Sequence, residues 1–138
     1  DLQRLTRAAH TERAFADTIV ESTPGIVYVF DAAGTIQRWN RNFERVSGYT
    51  ADEIARMAPE DFFTGRDRDV VLGGLQEVFA DGESAIEAAI LTKDGRSVPH
   101  LLTGRRVIVN GTPCLAGVGV DVSQWKRAEE RLAESGTE

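Results

Sequence analysis

Apolar and polar positions change their period several times along this chain, and each change predicts an element. From Leu2 to about Val20 there is neither Gly nor Pro, and Leu2, Leu5, Ala9, Ala16 and Ile19 recur at three- and four-residue intervals, with Glu12 interrupting. That spacing predicts an amphipathic helix with a narrow apolar seam. Ser22-Thr23-Pro24-Gly25 ends it, because proline disfavours helical geometry in the residue before it and glycine loosens the next. Ile26 to Phe30 and Thr35 to Trp39 predict two strands joined by the turn residues Asp31-Ala32-Ala33-Gly34. Asn40 to Val46 predicts a short helix broken by Gly48, and Thr50-Ala51-Asp52-Glu53 matches a capping box that starts another. Arg66 to Ala80 places Val71, Leu75, Val78 and Phe79 on one helical face, with Gly73-Gly74 predicting a soft or kinked middle.

From Ser84 the pattern predicts three strands. Lys93-Asp94-Gly95-Arg96 turns the first into the second, Asn110-Gly111 turns the second into the third, and the last runs from about Thr112 to Val122. Ser123 is placed to cap a closing helix in which Val122, Trp125, Glu129 and Leu132 again share a seam, and Ser135-Gly136-Thr137-Glu138 is expected to fray. The expected division is a helix over 1–22, a mixed body over 23–122 and an outgoing helix over 123–138.

The motifs within this order resemble the PAS (sensory box) family, including its PAC-type C-terminal part. Trp39-Asn40-Arg41-Asn42-Phe43-Glu44, then Gly48-Tyr49 and the capped helix, resemble the family's entry half; Asp121-Val122-Ser123 before a charged helix resembles its exit. The resemblance covers roughly Pro24 to Arg131. It implies an α+β fold with a five-stranded antiparallel sheet, short helices on one face, and flanking N- and C-terminal amphipathic helices. It also implies sensing or relaying rather than catalysis.

Alternation along the strands, compared with light-sensing LOV relatives through the Thr92-Lys93-Asp94-Gly95 hairpin, assigns an inner face. The ligand-pocket candidates on it are Tyr28, Phe30, Ile90, His100, Leu102, Gly104, Leu115, Gly117 and Gly119. Three glycines there signify either ligand room, closer helix packing or a bulge, and these alternatives stay open. His100 is either an anchor for a ligand or a histidine satisfied by a backbone carbonyl, the second being favoured. Asp121, Ser123 and Trp125 are the relay candidates, with Asp121 and Ser123 setting the angle of the outgoing helix. Cys114, Ala116, Val118 and Val120 fall on the outer face, whose apolar character predicts an interface covered by the leading helix of this chain or of a second copy.

Cofactor identity is left unknown. Arg66 to Ala80 lacks the histidine that haem-binding relatives supply from this helix, and Ala58 to Phe63 lacks the cysteine of the LOV pattern, which disfavours haem and covalent flavin. No metal-ligand cluster, nucleophile-base pair or hydrolase motif surrounds His10 or His100, so neither catalytic nor metal residues are assigned.

At 138 residues the chain suits one domain, and 41% hydrophobic with 28% charged residues is the composition of a globular protein. Sixteen basic against twenty-two acidic residues leave a net charge of −6, which repels a phosphate backbone, so no nucleic-acid partner is expected. Cys114 is the lone cysteine, and no apolar run approaches the ~20 residues of a membrane helix. The expectation is a cytoplasmic segment of a longer polypeptide: a homodimer with a possible small-molecule ligand and a covalently linked effector, such as a histidine kinase, a diguanylate cyclase or a transcription regulator.

Overall fold

The computed structural model describes residues 2–136. The elements run α1 (Leu2–Ser22), β1 (Ile26–Asp31), β2 (Ile36–Trp39), α2 (Arg41–Ser47), α3 (Ala51–Ile54), a 3-10 turn (Pro59–Phe62), α4 (Gly65–Asp81), β3 (Glu83–Leu91), β4 (Ser97–Val109), β5 (Thr112–Asp121) and α5 (Ser123–Gly136). The strands form one antiparallel sheet in the order β2-β1-β5-β4-β3, as the α+β reading expects. The first and last strands meet at its centre, with Ile26 opposite Gly119 and Phe30 opposite Leu115.

Local chemistry accounts for the boundaries. Asn40 caps α2 by accepting from the Phe43 amide, and Gly48 closes that helix in the left-handed region at φ 78°. Thr50 and Glu53 satisfy each other's backbone amides as a capping box. Glu53 also pairs with Lys93 at 2.8 Å, which joins α3 to the β3–β4 hairpin and draws the Glu53 carboxyl down to about 2. Asn40 is fully buried and uses its whole amide: Oδ1 accepts from Val27 N–H as well as Phe43, while Nδ2 donates to Gly25 O and Val20 O.

Helix α4 runs unbroken through Gly73-Gly74, where a soft or kinked middle is expected. The space beside Gly73 is open, whereas a Cβ on Gly74 would lie 3.2 Å from Ile86 Cγ2, so this glycine lets the helix close on β3. Val71 and Val78 from α4, Phe43 from α2, Ile54 from α3 and Phe62 from the turn pack with Ile26, Tyr28, Phe30, Ile90 and Leu115 to make the core.

The leading helix departs most from its expected place. Its last turns touch the body through the Asp17–Arg38 ion pair, the Val20 carbonyl on Asn40 and the Glu21 carboxylate accepting from Arg41 N–H. None of its residues is buried, and Leu2, Leu5, Phe15 and Ile19 are exposed. Within this chain, therefore, α1 does not cover the outer face of the sheet. The contacts named at its C-terminal end are polar, and the apolar seam gains no burial from them.

At the other end Ser123 is not the cap; it is the first helical residue. Asp121 Oδ1 accepts from the Ser123 amide at 2.8 Å, while the Val122 carbonyl receives the first helical bond from Lys126 N–H. The Asp121 carboxylate, reaching two residues forward as in an Asx turn, thus supplies the side-chain acceptor at the start of the helix. The helix continues through Gly136. Of the tail expected to fray, Thr137 and Glu138 lie outside the described residues.

Candidate functional site

The inner concavity is crowded with aromatic rings. Phe43 stands edge-on to Phe62 at 5.0 Å and to Tyr28 at 6.2 Å, and Tyr49 is edge-on to Phe62 at 5.8 Å. Small cavities lie among these rings and behind them. One, of about 50 Å³, lies among Tyr28, Phe30, Phe43, Phe62, Ile90 and Leu102. Another, also about 50 Å³, lies among Tyr28, Val71, Val78, Leu102, Gly104 and Leu115. Sites for drug-sized ligands measure roughly 300–1,000 Å³.

The structure brings Tyr28, Phe30, Ile90 and Leu102 together around the first cavity, and Tyr28, Leu102, Gly104 and Leu115 around the second. The volume that the glycines leave is taken by neighbours. A Cβ on Gly104 would stand 3.0 Å from Val78 Cγ2 and 3.1 Å from Leu115 Cδ1. On Gly119 it would stand 2.6 Å from Ile26 Cγ1 and 2.9 Å from Leu102 Cδ2, and on Gly117 2.6 Å from Tyr28 Cε1. His100 is buried and lines neither cavity; its Nδ1–H donates to the Val98 carbonyl at 3.0 Å. Cys114, opposite Asp31 and Val107, is out of phase with Leu115 and buried.

Sequence reasoning missed the lid of the first cavity, Phe43, Pro59, Phe62 and Phe63. Phe43 was visible only as part of a motif. The other three sit on a 3-10 turn and the residue after it, too short to show a period.

Polar chemistry is sparse inside. The Tyr28 hydroxyl donates to the Thr103 carbonyl at 2.7 Å, and burial pushes the phenol well above its ordinary range although that hydrogen bond acts the other way. On the back of the sheet an open hollow of about 720 Å³ runs past Ala85, Thr103, Arg105, Val107, Ala116 and Val118. Leu101 and Val120 are exposed on this back face.

The exit junction joins three elements. Val122 N–H donates to the Pro99 carbonyl, and Lys126 pairs with Glu87 at 2.6 Å, tying α5 to β4 and β3. Partial burial acts to raise the Asp121 carboxyl, but its hydrogen bonds to Ser123 and the nearby His100 and Arg127 outweigh that and hold it below the usual range. Trp125 is exposed beside this anchored turn.

The family model described as a PAS fold matches residues 20–127. The chain belongs to the PAS family. Among solved structures, this PAS domain is similar to the PAS domain of an HTR-like protein from Haloarcula marismortui, at 22% identity and TM-score 0.73, covering 88% of this chain and 99% of that one. It is also similar to a domain of a sensory box sensor histidine kinase/response regulator from Geobacter sulfurreducens, at 19% identity and TM-score 0.66, covering 85% and 96%. The Rhodobacter sphaeroides LOV protein matches at 14% identity and TM-score 0.68, covering 91% of this chain and 76% of that one. At these identities the likeness is one of fold. No curated protein matches the chain. Among the described residues, no helix of this PAS domain is long and apolar enough to cross a membrane.

Proposed function

We propose that this PAS domain is a sensory-signalling module working chiefly as a dimeric relay in the cytoplasm. Two copies associate when α1 of one lays its seam of Leu2, Leu5 and Ile19 on the outer sheet face of the other. Helix α5, directed by Asp121, carries changes in sheet packing to a covalently linked effector such as a histidine kinase or a diguanylate cyclase. The observation that carries this reading is the inversion of apolar surface: the interior cavities around Tyr28 and Leu102 measure about 50 Å³ each, while the α1 seam, Leu101 and Val120 stand uncovered among the described residues. Exposed apolar surface of that kind marks an interaction face, and a bistable sheet–helix packing suffices for signalling.

Sedimentation equilibrium tests it. The 138-residue chain is expected to dimerise, and Leu5→Lys with Ile19→Lys to return it to monomer with its fold intact. A parent chain monomeric at every concentration overturns the association. A second reading, ligand sensing within the domain, has support in the wall of Tyr28 and Leu102 that the two cavities share. Native mass spectrometry that finds a released metabolite favours sensing; bare protein with no thermal shift on metabolite addition favours the relay.

A further inference from the structure

The β4–β5 ladder is interrupted at its middle. Its register holds at Leu102 opposite Gly119 and resumes at Arg105 opposite Ala116. Arg106 N–H points to the Gly82 carbonyl beside β3, so by alternation the backbone groups of Thr103 are the ones that should face β5 and pair with Val118. Instead the Thr103 side chain stands in for its backbone: Oγ1 donates to the Val118 carbonyl at 3.0 Å and accepts from the Val118 amide at 3.3 Å. The freed Thr103 carbonyl accepts from the buried Tyr28 hydroxyl at 2.7 Å. Gly117 makes this possible, since a Cβ there would lie 2.0 Å from the Thr103 oxygen. Tyr28 lines both interior cavities, and Thr103 lines both the second cavity and the hollow on the back of the sheet.

We infer that the Tyr28–Thr103 hydrogen bond is a latch through the sheet, coupling the hydrogen-bonding state of the interior to the shape of the outer face. While the hydroxyl holds the carbonyl, the ladder stays open and the hollow is lined by the turned Thr103. When Tyr28 finds another acceptor, such as a small molecule bearing a carbonyl or carboxylate in the second cavity, the Thr103 carbonyl is orphaned. Its cheapest partner is then the Val118 amide, because a buried carbonyl without a donor is costly. The peptide turns back, the ladder closes, and the back face alters where Ala116 and Val118 lie. Its effect on association rests on the outer face being the dimer surface; the latch itself does not.

Tyr28→Phe removes the hydroxyl and imitates the released state. In the 138-residue chain, amide exchange followed by NMR is expected to slow at Val118 about two- to fivefold relative to Ala88 in β3, because a backbone ladder bond replaces the longer 3.3 Å bond to Thr103 Oγ1. Resonances of Ala116, Gly117 and Val118 should move. Thr103→Val removes the bridging hydroxyl and should speed Val118 exchange by a similar factor, whereas Thr103→Ser, which keeps the hydroxyl, should match the parent. Tyr28→Phe leaving Val118 unchanged, or accelerating all strand amides equally, overturns the latch, because the hydroxyl is then only a satisfied core group. A monomeric parent with the exchange differences intact refutes the dimer reading alone.

Discussion

Replacing Gly119 by alanine distinguishes a roomy interior from a filled one by the sign of its effect. Gly119 lies on the inner face of β5 and is absent from the positive-φ glycines, so its backbone accepts alanine without strain. The new methyl would stand 2.6 Å from Ile26 Cγ1, 2.8 Å from Ile26 Cδ1 and 2.9 Å from Leu102 Cδ2. Cγ1 is not the free end of its side chain, so Ile26, itself buried, must change rotamer or the strand must move. Overpacking of this kind costs about 1–3 kcal/mol. Alanine also restricts the unfolded chain, which offsets about 0.4–1 kcal/mol. The expected net loss is therefore about 1.3 kcal/mol at the centre of a span of about 0–2.6 kcal/mol, read as a lower urea midpoint at unchanged slope and a melting temperature lower by about 4 °C per kcal/mol. An empty concavity would give the opposite, a gain of about 0.4–1 kcal/mol. Gly73→Ala is the control, because nothing lies within 4 Å of its added methyl and the helix should gain about 1 kcal/mol. If Gly119→Ala is more stable than the parent, the filled-interior argument fails, and with it the preference for relay over reception.

Asn40→Ala should destabilise by about 2–4 kcal/mol in urea titrations, since it removes an N-cap and leaves the Val27 amide without its acceptor; α1 should loosen as the Val20 contact is lost, visible as faster exchange in its last turn. Asp121→Ala should cost about 0.5–2 kcal/mol at neutral pH through loss of the amide cap, with exchange rising first at Ser123. In the parent the Asp121 contribution has a defined pH window: its folded carboxyl lies below the unfolded value of about 3.9, so the stabilisation is complete above that pH and is lost as pH falls through the folded value. The difference in stability between parent and Asp121→Ala should shrink over that acid range, and a difference that does not vary with pH would contradict the carboxylate cap.

Local chemistry alone decided a good part of this protein. Turn residues at Gly34, Gly48, Gly95 and Asn110-Gly111, the Thr50–Glu53 box and the strand alternation act over a few residues, so their consequences are present in the chain before it folds. A period of two sorted Tyr28, Phe30, Leu102, Leu115 and the three glycines onto one face, the resemblance to LOV relatives named that face the inner one, and the motifs from Trp39 to Glu44 and at Asp121 carried the family resemblance. What occupies the space beside those glycines was decided only by tertiary packing. Whether a missing side chain leaves a void depends on how far Ile26, Leu102, Val78 and the ring of Tyr28 reach from other elements, a distance no periodicity encodes. The same holds for α1, whose seam was legible but none of whose residues is buried within this chain, and for the exit junction, where the reach of one carboxylate set Asp121 rather than Ser123 at the root of α5. A sequence specifies which surfaces need covering; close packing in three dimensions settles what covers them.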